Sequence, residues 1–577
     1  MDKHAIAIVL EEIGTLLEIH GENRFKARAF MGAARAIEKL EQDLPDVLRE
    51  GRLQHMAGIG PATASVIREL FNTGTSLYYR DLRARTPPGL LELLSVPHLG
   101  ATRIRQLHEA LGIRSLDDLE QAARAGRIAG SKGFGPRTEQ RILEGIAYVR
   151  STRGRRRYAD ALELGARLRA FAETMPGVHQ AELAGELRRR CETVASMDLL
   201  AAVASDQMEA TRQTFLALPG LGDVTQTADS VEAHLPDGVG VRLTMVPDDE
   251  FPTRWLFATG AEPHLSALKV CAAERGLTLT AAGLRKEGAP VAVTDEEAIY
   301  AALGLEYIEP ELRETGREVE AARTGSLPDL VDIDDLRGCF HNHTTYSDGK
   351  ATVWQMAEAA LERGWRYLGI SDHSQYAGYA GGLHADDIRR QHDEIVAWNE
   401  AHGKRLWLFH GLEADILPDG ELDLADQPGV LGSLDFVVGS AHSAFGLSAK
   451  EQTARFLRAL ENPYLTFLGH LTGRLLLSRQ GYDLDLERVF AATAQRGVAI
   501  EINSDPRRME LDWRDWPRAR ELGILTAINP DAHGQRQLDF VQYGVAVARK
   551  GWLERRQVIN TWTLAEVKRF FRKVRRV

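Results

Sequence analysis

The sequence is short of the features that would place a protein outside the cell or in a membrane. Its 577 residues hold three cysteines, Cys191, Cys271 and Cys339, at wide and unrelated spacings. They form no disulfide framework, which fits a reducing cytoplasm. No apolar run approaches a membrane span, and the opening MDKHAI leads into an amphipathic helix already carrying Glu11 and Glu12, unlike a secretory signal. Positive charge is not in excess either: 71 Lys and Arg against 82 Asp and Glu leave a net −11. A general polyanion-binding surface is therefore excluded, and any nucleic-acid contact must be local. Low-complexity tracts and long disordered linkers are missing too, and a chain of this length predicts several domains.

What is present is concentrated at CFHNHTTYSDG, residues 339–349. His341 and His343 stand two apart at the end of an extended segment, and Asp348 follows five residues on. Period-2 geometry points both imidazoles the same way, and imidazole with carboxylate suits Zn, Mn or Fe. Such a pair is weak alone. Downstream, however, short apolar runs alternate with amphipathic stretches, and run after run ends in a ligand type. YLGIS leads to Asp372 and His373, LWLFHGL to Glu413, FVVGSA to His442 and LTFLG to His470. VAIEI carries Glu501 and leads to Asn503, and ILTAI leads to Asn529, Asp531 and His533. Repeated strand–helix units predict a parallel sheet with its chemistry at the carboxyl ends of the strands.

These segments (HNHTTYSDG, SDHS, GLEADI, SAHS, GHLTGRLL, EINSDP and NPDAH) resemble those of the polymerase and histidinol phosphatase (PHP) domain, over residues 336–577. The resemblance implies a distorted (β/α)7 barrel holding three divalent metal ions. His341, His343, Glu413 and Asp531 would hold one ion, and Glu413, His442 and His470 a second, with Glu413 bridging. Asp348, His373 and His533 would hold the third. Leu471 departs from the family, in which proline usually follows the histidine. The implied chemistry is phosphoester hydrolysis, with Glu413, Asp531 and His533 as catalytic residues. Arg474 is a candidate clamp for a substrate phosphate, a salt bridge at the barrel mouth being its other reading.

Residues up to about 150 read as all-α and contain a repeat: MAGIGPATA from 56, VPHLGATRI from 96 and SKGFGPRT from 131, each preceding a helix. They resemble the helix-hairpin-helix motif, in which glycines let the backbone approach a DNA phosphate and free amides at the helix start receive it. Gly58, Gly60, Gly100, Gly133 and Gly135 are the candidate contacts; His98 and Leu99 make the middle copy the weakest. Residues 1–80 also resemble the small amino-terminal domain of family X DNA polymerases, some of which carry a lyase lysine in the helix after the first hairpin. Here that helix reads ATASVIREL, without lysine. Arginine stays protonated and forms no Schiff base, so no such lyase is expected.

The stretch AGELRRRCETVASMD, 184–198, resembles the polymerase palm, whose pattern is glycine-serine, paired arginines, glutamate-threonine and aspartate-x-aspartate. Glu186 replaces the serine, Ser196 the first aspartate, and Arg242 stands where a third carboxylate is expected; Asp198 alone remains. Two-metal nucleotidyl transfer needs clustered carboxylates, and a guanidinium among them repels the cations. Ala258 and Leu265 alter the expected nucleotide pocket as well. The polymerase fold is expected to persist without its activity. The basic runs 153–157 and 188–190 are candidate phosphate contacts, and YIEPELRE from 307 resembles the end of the thumb.

As a whole the chain resembles the bacterial family X DNA polymerases that carry a PHP domain, with a degenerate polymerase centre. The resemblance implies a multidomain α/β protein. Its parts would be an amino-terminal helical domain (1–80), a fingers-like helical region (81–154), a palm (155–245), a thumb-like region (246–320), a linker (321–335) and a PHP barrel (336–577). The expected function is a metal-dependent 3′-5′ exonuclease that binds DNA without sequence preference, acts in repair and touches no membrane. A DNA-binding scaffold and a small-molecule phosphatase remain alternatives, and the oligomeric state is open.

Overall fold

The computed structural model describes residues 3–38, 40, 44–97 and 99–575. They form two compact units, Met1–Arg153 and Gly154–Val577.

The first unit is helical among its described residues. In helix Lys3–Ile19 apolar residues recur at three- and four-residue spacing, so Ile6, Leu10, Ile13 and Leu17 share one face. They pack with Phe30, Ala33 and Ile37 of helix Arg24–Glu38. A second core gathers Leu93, Ile104, Leu107, Leu119, Ile142 and Ile146. These apolar faces set the helices; the turns between them carry the glycine repeats.

The second unit begins with strands β1 (Arg156–Arg157), β2 (Val178–Leu183), β3 (Thr193–Val194), β4 (Ser196–Val203), β5 (Gly222–Gln226), β6 (Ser230–His234) and β7 (Gly240–Val246). β1 pairs with β3, and the others form one sheet in the order β2-β4-β7-β6-β5, with β4 and β7 parallel. Every second residue of β7 (Val241, Leu243, Met245) is buried while Arg242 faces out, the alternation expected of a sheet with one wet face. Helices Phe251–Thr259 and Glu262–Glu274 follow. The meander of β8 (Leu277–Thr280), β9 (Gly283–Lys286) and β10 (Ala289–Val291) comes next, around a core of Leu256, Leu268, Ile299 and Tyr300.

The barrel consists of β11 (Gly338–Cys339), β12 (Tyr367–Ile370), β13 (Trp407–Asp415), β14 (Phe436–Ser440), β15 (Phe467–Leu468), β16 (Ala499–Asn503) and β17 (Thr526–Asn529), all parallel and in sequence order. A parallel bridge between Asn342 and Ala532, with His343 N donating to the Ala532 carbonyl at 2.8 Å, brings the last strand back to the first. Below the strand ends the interior is filled by aromatic rings. Phe340 lies 5.5 Å from Tyr367, 5.5 Å from Phe467 and 5.4 Å from Phe571, centroid to centroid. The Phe436 ring crosses so close to β13 that a Cβ on Gly411 would lie 2.3 Å from it, which is why this strand position lacks a side chain. Deleting the buried Phe340 ring would cost about 3–5 kcal/mol. The plug is a packed floor, and it confines polar chemistry to the upper end.

The palm-like and barrel parts share a continuous apolar core, with Tyr158 edge-on to Tyr543 at 6.2 Å. Polar groups lock this joint. Trp513 Nε1 donates to Glu192 at 3.0 Å, and Arg514 pairs with the same carboxylate at 2.7 Å. Lys550, 1 % exposed, donates to Glu314 at 2.6 Å and to the Arg189 carbonyl at 2.9 Å. Among the described residues no helix is long and apolar enough to cross a membrane.

Candidate metal centre and nucleic-acid contacts

The strands deliver their ends to one place. His341 and His343 follow β11, His373 follows β12, Glu413 ends β13, and His442, His470, Asp531 and His533 follow β14, β15 and β17. Glu413 is the hub. Its Oε1 lies 3.3 Å from His341 Nε2, 3.3 Å from His442 Nε2 and 3.0 Å from His470 Nε2, and its Oε2 lies 2.8 Å from His373 Nδ1. Asp531 Oδ1 sits 3.1 Å from His343 Nε2, and Asp348 Oδ1 sits 3.3 Å from His533 Nε2 and 3.7 Å from His373 Nε2. Three groups are close enough to share an ion: His343 with Asp348, His373 and His533; His341 with His343 and Glu413; and His373 with Glu413 and His442. Seven of the nine residues singled out in the sequence fall in these groups, His343, His373 and Glu413 each in two, and His470 and Asp531 join them through Glu413 and His343.

The donor set fits cations. His341 Nε2, His343 Nδ1, His373 Nδ1, His470 Nδ1 and Glu413 Oε2 are buried and make no hydrogen bond of acceptable angle, even where His373 Nδ1 and Glu413 Oε2 approach to 2.8 Å. Leaving such atoms unsatisfied costs about 1–3 kcal/mol each, unless a cation completes them. Burial lowers the pKa of His341, yet the carboxylates of Glu501, Glu413 and Asp531 outweigh it and hold the ring well above its ordinary value. Burial likewise opposes, and Glu413 and Asp415 drive, a rise at His442 to about 10. His343 goes the other way, to about 3, through burial and the charges of His533 and His373. The pocket demands positive charge at its carboxylates and cannot place every proton. His470 (φ 21°) and Asp531 (φ 52°) are both held at positive φ, a conformation that side chains beyond glycine adopt at a cost.

Residues behind the centre orient its rings. Glu501 Oε1 lies 2.7 Å from His341 Nδ1, Asp415 Oδ1 lies 3.2 Å from His442 Nδ1, and the Asp531 carbonyl lies 2.9 Å from His533 Nδ1. Each contact fixes the proton on Nδ1 and turns Nε2 toward the centre. Asp372 accepts from Thr344 N at 2.8 Å, from Thr344 Oγ1 and Gln391 Nε2 at 2.6 Å, and from Ser347 Oγ, pinning the loop that carries Asp348. Glu501 was visible as a strand-end carboxylate, and Asp372 beside a ligand, but their orienting contacts arise only in the fold.

For Arg474 the structure shows the salt bridge that was its other reading. Its Nε donates to the Arg508 carbonyl at 2.9 Å, one Nη to the Met509 carbonyl and the other to Asp512 at 2.8 Å. The guanidinium is spent on the segment after β16 and is not free to clamp a phosphate. That segment presents Arg508 instead, 4.0 Å from Asp531 and 3.4 Å from Glu510. Nothing in EINSDPRRME singled it out by spacing.

The three glycine repeats form one recurring turn. Ile59 N donates to Met56 O at 3.2 Å, Leu99 N to Val96 O at 3.1 Å and Phe134 N to Ser131 O at 3.1 Å. Gly58 (φ 85°) and Gly133 (φ 89°) occupy the left-handed region that favours glycine; His98, at the matching place, lies outside the described residues. Gly60, Gly100 and Gly135 precede helices Pro61–Thr73, Ala101–Leu111 and Pro136–Thr152, and no side chain caps those helix starts. Open space lies where a Cβ on any of these three would stand, so amide donors meet solvent there.

The palm-like centre is closed by contrast. Asp198 Oδ1 accepts from Ser196 Oγ at 2.9 Å and lies 3.6 Å from Arg242, which pairs with Glu232 at 2.8 Å. Glu186 binds Arg155 at 2.7 Å with one oxygen and the Ala195 amide at 2.7 Å with the other. Of the two basic runs, 188–190 is spent on largely buried carboxylates, while 153–157 pairs with exposed acids. Arg188 and Arg313 grip Glu296 from two sides at 2.7–2.9 Å. Arg189 pairs with Glu314, Arg190 with Glu311, Arg156 with Asp237 and Arg157 with Asp160. A run of like charge gives no hint of carboxylates a hundred residues away.

Fold and centre together define a class: a helical region of glycine hairpins and a palm-like sheet in one chain with a barrel whose strand ends gather a candidate metal centre. Comparison with known families agrees. The helix-hairpin-helix domain matches residues 1–76, the SAM-like helix-hairpin-helix tandem 90–147, the DNA polymerase beta thumb 254–314 and the PHP domain 340–505. A DNA polymerase/3′-5′ exonuclease PolX of Bacillus subtilis (strain 168) is 33 % identical over 99 % of this chain and 100 % of its own length. A protein of Thermoanaerobacter sp. (strain X514) named as a phosphatase is 25 % identical over 41 % of this chain and 94 % of its own length. The chain belongs to the PolX family of DNA polymerases with a PHP domain.

Proposed function

We propose that the barrel centre hydrolyses the terminal phosphodiester at 3′ ends of DNA, as a 3′-5′ exonuclease of DNA repair in the cytoplasm, and that the palm no longer extends primers. The observation that carries this reading is the convergence of seven His, Asp and Glu side chains, with His470 and Asp531 against them, and five buried atoms that make no hydrogen bond. In this reading the chain divides as the sequence suggests, at about residues 80, 154, 245, 320 and 335. His341, His343, Glu413 and Asp531 hold one ion, Glu413, His442 and His470 a second, and Asp348, His373 and His533 a third, each Zn, Mn or Fe. When bound, the ions supply positive charge for developing phosphoryl oxygens and make water a better nucleophile.

The chain's own groups do the rest. Glu501 and Asp415 keep His341 and His442 protonated on Nδ1, so that Nε2 stays directed inward. Arg508, held by Arg474, balances the charge of the incoming phosphate beside Asp531. The hairpin turns around Gly58, Gly60, Gly133 and Gly135, and less strongly Gly100, bind backbone phosphate and so ignore sequence.

The named phosphatase relative makes a small phosphomonoester the natural competing substrate. The test is metal-dependent digestion of end-labelled DNA beside such an ester, by wild type and Glu413→Ala. Release of nucleotides from 3′ ends by wild type alone is expected. Hydrolysis of the ester with no attack on DNA would overturn the reading.

A further inference from the structure

The loop from Ser374 to Leu383 leaves the centre directly after His373 and is tied to the barrel at regular intervals. Tyr376 N donates to Asp423 at 2.8 Å, Leu383 N donates to the His373 carbonyl at 2.8 Å, and Ala377, Ala380 and Leu383 are buried. Pinned at these points, the loop turns Tyr379 outward. At 75 % exposure it is the most exposed large apolar side chain of the second unit among the described residues. Yet its ring centroid lies 6.2 Å from that of His373. Tyr379 thus stands at the mouth of the centre, its ring beside His373 and open to solvent.

We propose that Tyr379 is the stacking platform for the terminal base of the DNA strand being cut. The inference rests on the reading that the barrel acts on DNA ends, and it adds how such an end is recognised. The hairpin amides and Arg508 address phosphate only, so nothing else named at the centre offers the base a surface. Every base has a π face, and stacking on an aromatic ring tolerates any sequence, as the hairpins do. A free phosphate ester gains nothing from the ring.

The test uses the full-length, metal-loaded protein and two oligonucleotides, one ending in an ordinary 3′ nucleotide and one ending in an abasic residue. Tyr379→Phe keeps the π face; Tyr379→Ala removes it. Stacking is worth enough that Tyr379→Ala should raise KM for the base-bearing end about tenfold, with kcat little changed. Tyr379→Phe should match wild type, and all three proteins should handle the abasic end alike. Equal KM for wild type and Tyr379→Ala on the base-bearing end would overturn the platform alone. So would an equal loss in Tyr379→Phe, which would assign the role to the hydroxyl, or an equal loss by Tyr379→Ala on the abasic end. Failure of wild type to cut either strand would sink the exonuclease reading together with this one.

Discussion

The palm-like centre and the barrel centre are both gatherings of charged side chains at strand ends, and they differ in whether those charges are spent. In the palm Asp198 and Glu186, and beside it Glu296 and Glu314 of the thumb-like region, each meet an arginine or a hydroxyl of this chain. In the barrel Glu413 is ringed by imidazoles, and five buried ring or carboxylate atoms find no partner. A centre that binds something must leave donors and acceptors unmatched in the free chain. A centre that has become structural matches them internally. The difference teaches that conservation of fold and conservation of use can be separated by counting partners.

The sharpest way to break the contrast is at its hub. Glu413→Ala should abolish nuclease activity and lower bound metal with an unchanged far-UV spectrum, and chelation of wild type should do the same. Full activity in a folded Glu413→Ala protein would show that the convergence is only packing. On the other side, wild type should give no template-directed extension with Mg²⁺ or Mn²⁺. Ser196→Asp should not rescue it, because Arg242 still opposes the cations; extension by wild type that Asp198→Ala removes would end the contrast.

Next in size is the stability held in matched charges. The carboxyl of Glu296 is opposed by burial but pulled down to about 2 by Arg313 and Arg188, against about 4.3 in an unfolded chain. Because the folded value is depressed, its contribution of about 3 kcal/mol is complete above about pH 5 and fades as pH falls from 4 toward 2. Glu296→Gln should remove that contribution at neutral pH and flatten this acid limb in denaturant titrations. An unaltered pH profile would mean the pair is not closed in solution.

Smaller effects sharpen the comparison. Glu501→Gln, behind His341, should weaken metal affinity by about 10–100-fold without removing a ligand, as read by competition with a chromophoric chelator. The hairpins extend the same logic to backbone amides. Gly60→Leu and Gly135→Leu place side chains in open space, so the fold should survive while DNA affinity drops about tenfold and its dependence on salt becomes shallower. Unchanged affinity would make these turns spacers between helices.

Much of this was legible because strand ends are. The ligand types at His373, Glu413, His442 and His470 follow apolar runs that can only be buried strands, and a parallel barrel must bring such ends together. That Arg242 would stand beside Asp198 was legible because charge at one register is a local fact; the two are partners on paired strands. What escaped depends on distance along the chain. A salt bridge was one reading of Arg474, but the carbonyls of 508 and 509 that also hold it could not be read from spacing. The arginines of 188–190 looked like a phosphate patch because Glu296, Glu311 and Glu314 lie more than a hundred residues on. Spacing can reveal a side chain's neighbours within an element, but not the carboxylate that will neutralise it.

The joint formed by Glu192, Trp513, Arg514 and Lys550 has a consequence for redesign. Glu192 belongs to the glutamate-threonine pair of the palm pattern, and Arg189 offers its carbonyl to Lys550. Palm residues thus serve as masonry between the sheet and the barrel. A variant given carboxylates at 196 and 242 would still find these groups committed to the joint, and freeing them would loosen the barrel's seat.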